Sequence, residues 1–281
     1  MSRIGPALAR RKALIAYVTV GYPSIDATLQ TVPLLADWGC DVVELGIPFS
    51  DPLADGTTIQ AASYRALMNS VSPETCLETA ERLRRLTEIP LLFMGYYNPV
   101  LAFGMDSFCH ASAAAGIDGL IVPDMPPEEG AELEEACSGS GLDLIYLLAP
   151  TSSDQRVALV AERSKGFIYL VSLAGVTGAR ESLPQGLEDF IARVRRRTTL
   201  PLCVGFGISN RGQAARVARV ADGAIVGSRI IQLMDGHGIP ELRTFVSDLR
   251  NALDMPESKD SPGVEQPEDS KETSPGNAGQ R

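Results

Sequence analysis

The stretch VELGIPFSDPLADG (43–56) sets one carboxylate inside an apolar β-run and two more in the loop that follows. Glu44 is flanked by Val43 and Leu45, and no Lys or Arg stands between Lys12 and Arg65, so this unit supplies no cation of its own. A carboxylate held out of water without a partner is costly, and a carboxyl in such surroundings keeps its proton toward neutral pH. Glu44 is therefore a candidate general acid and base. The alternative is a core carboxylate satisfied by hydrogen bonds or an ion pair. Asp51 and Asp55 stand in Asp-Pro and Asp-Gly, both turn dipeptides, and loop composition leaves catalytic and turn roles open for each.

A second group of residues is rich in glycine: SLAGVTGARES (172–182), GFGISN (205–210) and GSR (227–229). Glycine lets backbone N–H groups approach an anion closely, and a helix N-terminus adds positive potential, so these segments are candidates for holding a phosphate. Arg229 is left as a surface charge. Tyr17, Leu92, Tyr96, Leu147, Tyr169, Phe206 and Ile225 recur near the ends of apolar runs. Each one alone reads as core; together they would accept a flat apolar substrate body.

What must position these groups is legible in the spacing. Apolar β-rich runs at 14–20, 41–47, 90–97, 119–123, 142–148, 166–172, 200–207 and 222–228 alternate with helix-patterned stretches. Strands buried on both faces and joined by helices demand a parallel sheet, and eight such units predict a single-domain α/β fold, a closed (β/α)8 TIM barrel. In that fold the chemistry sits at the C-terminal ends of the strands, where Glu44 ends the second and the glycine segments follow the last three. Ser24, Ser72 and Ser153 read as helix N-caps, Pro73 as a first helical residue, and Gly116 and Gly141 as helix ends. The start, with basic residues before an apolar run, reads as a helix and then the first strand. The barrel is expected over 1–255. Residues 256–281 carry four prolines, nine charges and no aromatic residue, a composition expected to stay a disordered acidic tail.

The net charge of −10 argues against a nucleic-acid surface, and no apolar run is long enough to span a membrane. Five scattered cysteines without CxxC spacing suit reduced, buried thiols of a cytoplasmic protein, and His110 and His237 are too few for a His-rich metal site.

ELGIPFSDPLADG, MGYYNP, VPDMPPEE, YLVSLAGVTGA and GFGIS followed by GS, in that order across 5–253, resemble the alpha chain of tryptophan synthase. The resemblance implies retro-aldol cleavage of indole-3-glycerol phosphate to indole and glyceraldehyde 3-phosphate, a lyase step in L-tryptophan biosynthesis. It implies no metal or organic cofactor. A beta chain is implied as partner, in a hetero-tetramer of two alpha and two beta chains. It casts Glu44 as the mobile acid and base, Asp55 as the group that receives the indole N–H, and Thr177 as the loop residue that closes over the substrate. Gly178, Gly207, Gly227 and Ser228 become the phosphate cradle, with Phe206 and Ile225 in the indole pocket. Tyr169 joins them as a substrate-binding residue. Many members have proline where this chain has Thr57, whose hydroxyl is expected to cap the next helix, and some have arginine where it has Leu173. Other readings are a different phosphate-binding barrel, which would recruit a lysine or a metal cluster, and a regulatory relative lacking Glu44 or Asp55. A standalone indole-releasing lyase without a beta partner also remains open.

Overall fold

The computed structural model describes residues 2–171, 186–205, 207–236 and 238–255. The apolar runs become β1 (Ala13–Thr19), β2 (Val42–Gly46), β3 (Leu91–Met94), β4 (Gly119–Ile121) and β5 (Asp143–Ile145). They continue with β6 (Leu147–Leu148), β7 (Ile168–Val171), β8 (Leu202–Gly205) and β9 (Gly223–Val226). Helices before and between the first strands are α1 (Ile4–Leu8), α2 (Ile25–Asp37), α3 (Thr57–Met68), α4 (Pro73–Arg84), α5 (Tyr97–Phe103) and α6 (Met105–Ala114). The rest are α7 (Ala131–Ser140), α8 (Asp154–Arg163), α9 (Leu187–Arg195), α10 (Arg211–Val220), α11 (Ser228–Gly236) and α12 (Gly238–Asp254).

Every strand pair is parallel, in the order β5-β4-β3-β2-β1-β9-β8-β7-β6. The two ends of that order belong to one run. The expected fifth strand, 142–148, is interrupted at Tyr146, whose carbonyl accepts from Tyr169 N–H at 3.1 Å while its own N–H turns to Ser164 Oγ. The nine segments thus form eight staves of a closed barrel. The expected third run also ends early: its strand stops at Met94, and Tyr97 opens α5.

Side-chain alternation sorts the core into two shells, because successive strand residues face opposite ways. Ile15, Val42, Leu92, Ile121, Ile145, Phe167, Cys203 and Ile225 fill the bore, and Ile4 and Leu8 of α1 pack with them to close its floor. Leu92 therefore lies in this lower layer, below the mouth where the sequence had suggested it. Val43, Leu45, Phe93, Leu120, Val204 and Val226 face outward to the helices. The cysteines are all free and buried, as their scatter implied.

Local signals behave as their chemistry dictates. The hydroxyls of Ser24, Ser72 and Ser153 each accept from the N–H three residues on. Pro73 occupies the first turn of α4, and Gly116 and Gly141 adopt positive φ after α6 and α7. Thr57 departs from expectation: it is the first residue of α3 rather than its cap, and Gly56 takes the cap position without a side-chain bond.

Charged pairs gather where the strands begin. Arg250 of α12, almost wholly buried, reaches Asp41 at 2.8 Å and donates to the Lys12 carbonyl at 2.8 Å. Asp118 accepts from Arg3, Arg84 and the Leu91 N–H. These bonds satisfy charge removed from water and tie helices to the barrel floor, the end of this fold that serves stability.

Candidate active site

Glu44 sits on β2 beside Tyr17 of β1 and Leu92 of β3, all three facing the bore. It is fully buried, and neither carboxylate oxygen has a hydrogen-bond partner among the described residues. The reading of a core carboxylate satisfied by bonds or an ion pair is therefore excluded among those residues. Burial alone pushes its pKa up to about 8, because the charged form loses hydration and nothing nearby replaces it.

The loop after β2 separates the two aspartates. Asp51 is exposed, and its carboxylate accepts from Ser50 Oγ at 2.5 Å, the behaviour of a turn residue. Asp55 is turned toward a cavity of about 460 Å³ at the strand ends. Partial burial raises its pKa to about 6, and the Tyr96 hydroxyl works against that rise. The loop is fastened at several points. Ser63 Oγ of α3 accepts from Phe49 N–H and donates to Phe49 O, at 2.9 and 3.0 Å. Tyr96 stacks on Phe49 with centroids 5.2 Å apart, and its hydroxyl accepts from Ala54 N–H at 2.9 Å. Gln60 donates to the Asp55 carbonyl at 2.9 Å.

Two tyrosines, Tyr17 and Tyr169, stand within electrostatic reach of both carboxylates, and both phenols are held neutral chiefly by burial. Their hydroxyls fit because the neighbouring strands carry glycine there. A Cβ on Gly46 would overlap the Tyr17 hydroxyl, and one on Gly205 would come within 2.6 Å of the Tyr169 hydroxyl. Gly205 thus makes room for a ring as well as opening the glycine segment.

Gly207, Gly227 and Ser228 line the same cavity, with Ser228 beginning α11. Gly207 has φ +64°, a backbone state that side-chain-bearing residues rarely adopt. Tyr169 and Ile225 line it too, so the structure brings together Asp55, Tyr169, Gly207, Ile225, Gly227 and Ser228, while Glu44 does not line the cavity but stands beside the lining Tyr17. Thr177, Gly178 and Phe206 lie outside the described residues. Among the described residues no group of three or more His, Cys, Asp or Glu side chains is placed to hold a metal ion.

Sequence reasoning did not single out Ile59, Met94, Pro123, Ser152 or Arg156, which also line the cavity. Met94 and Ile59 are ordinary core residues by type, and nothing in their spacing marks them. Arg156 did carry a signal. It stands three residues after the capping Ser153, and side chains in the first turn of a helix lean back toward its N-terminus, here the barrel mouth.

A bore-facing carboxyl, a second carboxylate, apolar lining and a helix N-terminus have the chemistry to bind a phosphorylated aromatic compound and to move protons on it. Residues 7–257 match the family model described as tryptophan synthase alpha chain. The alpha chain of Dehalococcoides mccartyi is 54% identical over 255 residues, covering 90% of this chain and all of that one. That of Roseiflexus castenholzii is 50% identical, covering 89% of this chain and all of that one. Among solved structures, a tryptophan synthase of Mycobacterium tuberculosis superposes with TM-score 0.85 at 38% identity, over 90% of this chain and 99% of that one. The alpha subunit of Legionella pneumophila gives 0.83 at 37% identity, with the same coverage. This chain belongs to the tryptophan synthase alpha chain family.

Proposed function

We propose that Glu44 and Asp55 are the catalytic pair with which this alpha chain cleaves indole-3-glycerol phosphate to indole and glyceraldehyde 3-phosphate. The observation that carries the assignment is Glu44 itself, a fully buried carboxyl with no bonded partner among the described residues, beside the cavity-lining Tyr17. With a pKa of about 8 it is protonated at neutral pH and ready to donate. It delivers its proton to indole C3, which makes the ring a leaving group. The bond from C3 to the side chain then breaks, and its electron pair returns to the ring. As it breaks, the hydroxyl on the adjacent carbon gives its proton to the newly formed Glu44 carboxylate and becomes the aldehyde. Asp55, ionised above about pH 6, holds the indole N–H and neutralises the positive charge that develops on the nitrogen. Thr177 closes over the substrate, Gly178, Gly207, Gly227 and Ser228 hold the phosphate, and Tyr169, Phe206 and Ile225 flank the indole.

The experiment is indole release from indole-3-glycerol phosphate. Glu44→Gln should lower kcat by about 10²-fold to 10⁴-fold, the usual worth of a general acid and base, while substrate binding persists. Near-normal turnover by the folded variant would sink the assignment.

Family membership favours the partnered subunit over a standalone lyase. The enzyme is proposed as a carbon–carbon/carbon–oxygen lyase of the cytoplasm, assembled as two alpha and two beta chains. Residues 1–255 are proposed as the barrel domain and 256–281 as a dispensable tail, so a chain ending at residue 255 should keep full activity.

A further inference from the structure

Arg156 is the one cationic side chain among the described residues that line the cavity. The chain carries a net charge of −10, and the lining acid Asp55 adds a negative charge where an anionic substrate must enter. A phosphorylated substrate approaching this opening meets repulsion unless a local cation offsets it. The Arg156 backbone is fixed at the start of α8, where its N–H donates to Ser153 Oγ at 3.2 Å. The side chain is 40% exposed, and its guanidinium stands 3.0 Å from a carboxylate oxygen of Glu128, on the segment between β4 and α7. Glu128 is half exposed as well, so water competes for both partners and the pair is easily exchanged. No step of the cleavage uses either residue.

We propose that Arg156 is a specificity-determining residue that captures the phosphate of the incoming substrate at the cavity rim, with Glu128 as the counter-ion the phosphate displaces. The inference rests on the cleavage reaction above, and it assigns Arg156 to binding rather than to chemistry. Because so exposed a pair contributes little to stability, replacing it tests recognition without disturbing the fold.

The test is steady-state indole release by the full chain at ionic strengths of about 0.02 and 0.2 M, where screening differs strongly. Arg156→Gln should raise KM for indole-3-glycerol phosphate about threefold to tenfold and leave kcat within about twofold, as expected for a lost rim charge. Arg156→Lys should restore most of the loss, because it keeps the charge. Glu128→Gln should lower KM, because it frees the guanidinium. KM should rise less with salt in Arg156→Gln than in the unaltered chain. The dephosphorylated compound, indole glycerol, should be handled equally by both. Titration with glycerol 3-phosphate gives a readout independent of turnover, and Arg156→Gln should bind it more weakly by a similar factor. An unchanged Kd for glycerol 3-phosphate, or an unchanged KM and salt dependence, overturns the role of Arg156. If the unaltered chain releases no indole, the cleavage reading falls, while the glycerol 3-phosphate titration still decides the role of Arg156.

Discussion

Glu44 shows how burial, without a charged neighbour, sets the protonation of a carboxyl in the bore. Its folded pKa of about 8 lies above the ordinary 4.5, so the folded chain holds a proton that the unfolded chain releases. The resulting contribution to stability is fully present below about pH 4.5 and is lost as pH rises through about 8. Urea denaturation at pH 6 and pH 9 should therefore show the native chain weakening with pH, while Glu44→Gln, which cannot titrate, weakens far less; equal slopes would refute the shift. Activity should rise as Asp55 ionises near pH 6 and fall as Glu44 ionises near pH 8. Tyr96→Phe removes the hydroxyl that restrains the Asp55 pKa, so the acid limb of the kcat profile should move to higher pH. A limb that stays in place would show that Tyr96 serves only to hold Ala54.

At the scale of elements, α3 and β2 act as a pair. β2 carries Glu44, and the loop leaving it is pinned by Ser63 and Gln60 of the helix that follows and by the Tyr96 hydroxyl at Ala54, which together position Asp55. Gly46, the last residue of β2, leaves space for the Tyr17 ring. Gly46→Ala should displace that ring, costing about 1–3 kcal/mol of stability as overpacking usually does. It should also lower kcat by more than the loss of folded protein explains, measured as turnover per mole of native chain. A cap far from the site gives the contrast. Ser72→Ala on α4 should cost about 1 kcal/mol and leave turnover of the folded chain unchanged.

For the whole molecule, the floor of the barrel holds the fold while the mouth carries the cavity and the proposed site. Arg250 joins the last helix to Asp41 and to the Lys12 carbonyl, and its removal leaves the buried Asp41 with only Arg11 and the Leu14 N–H as partners. Arg250→Ala should therefore lose about 2–3 kcal/mol, or roughly 8 °C in Tm, with kcat per folded chain intact. At the mouth, the loop that carries Asp55 presents Leu53 almost wholly exposed. Loops at a barrel mouth are mobile unless ordered, and a beta chain that prefers the closed arrangement would raise its population. Titrating a cognate beta chain into the isolated protein should increase indole release. High activity alone, without stimulation, would return the standalone lyase to consideration.

Much of this was determined by the sequence alone. Strand–helix alternation dictates a parallel barrel because strands buried on both faces must be apolar throughout, and serine, proline and glycine mark helix ends through local bonds and φ preferences. Glu44 stood out because a carboxylate in an apolar run has no local remedy. Other decisions needed the tertiary structure. Asp51 and Asp55 share turn dipeptides, and only the packing of the loop on Ser63, Tyr96 and Gln60 turns one to solvent and the other to the cavity. Whether Leu92 faces the mouth or the floor depends on its height in the bore, which strand register sets and composition does not. Arg156 reaches the cavity, and Gly46 and Gly205 admit tyrosine rings, through neighbours distant in the chain. Local propensity acts over a few residues; a site at the mouth of a barrel is assembled from strands and loops far apart in sequence, and its geometry exists only when the barrel closes.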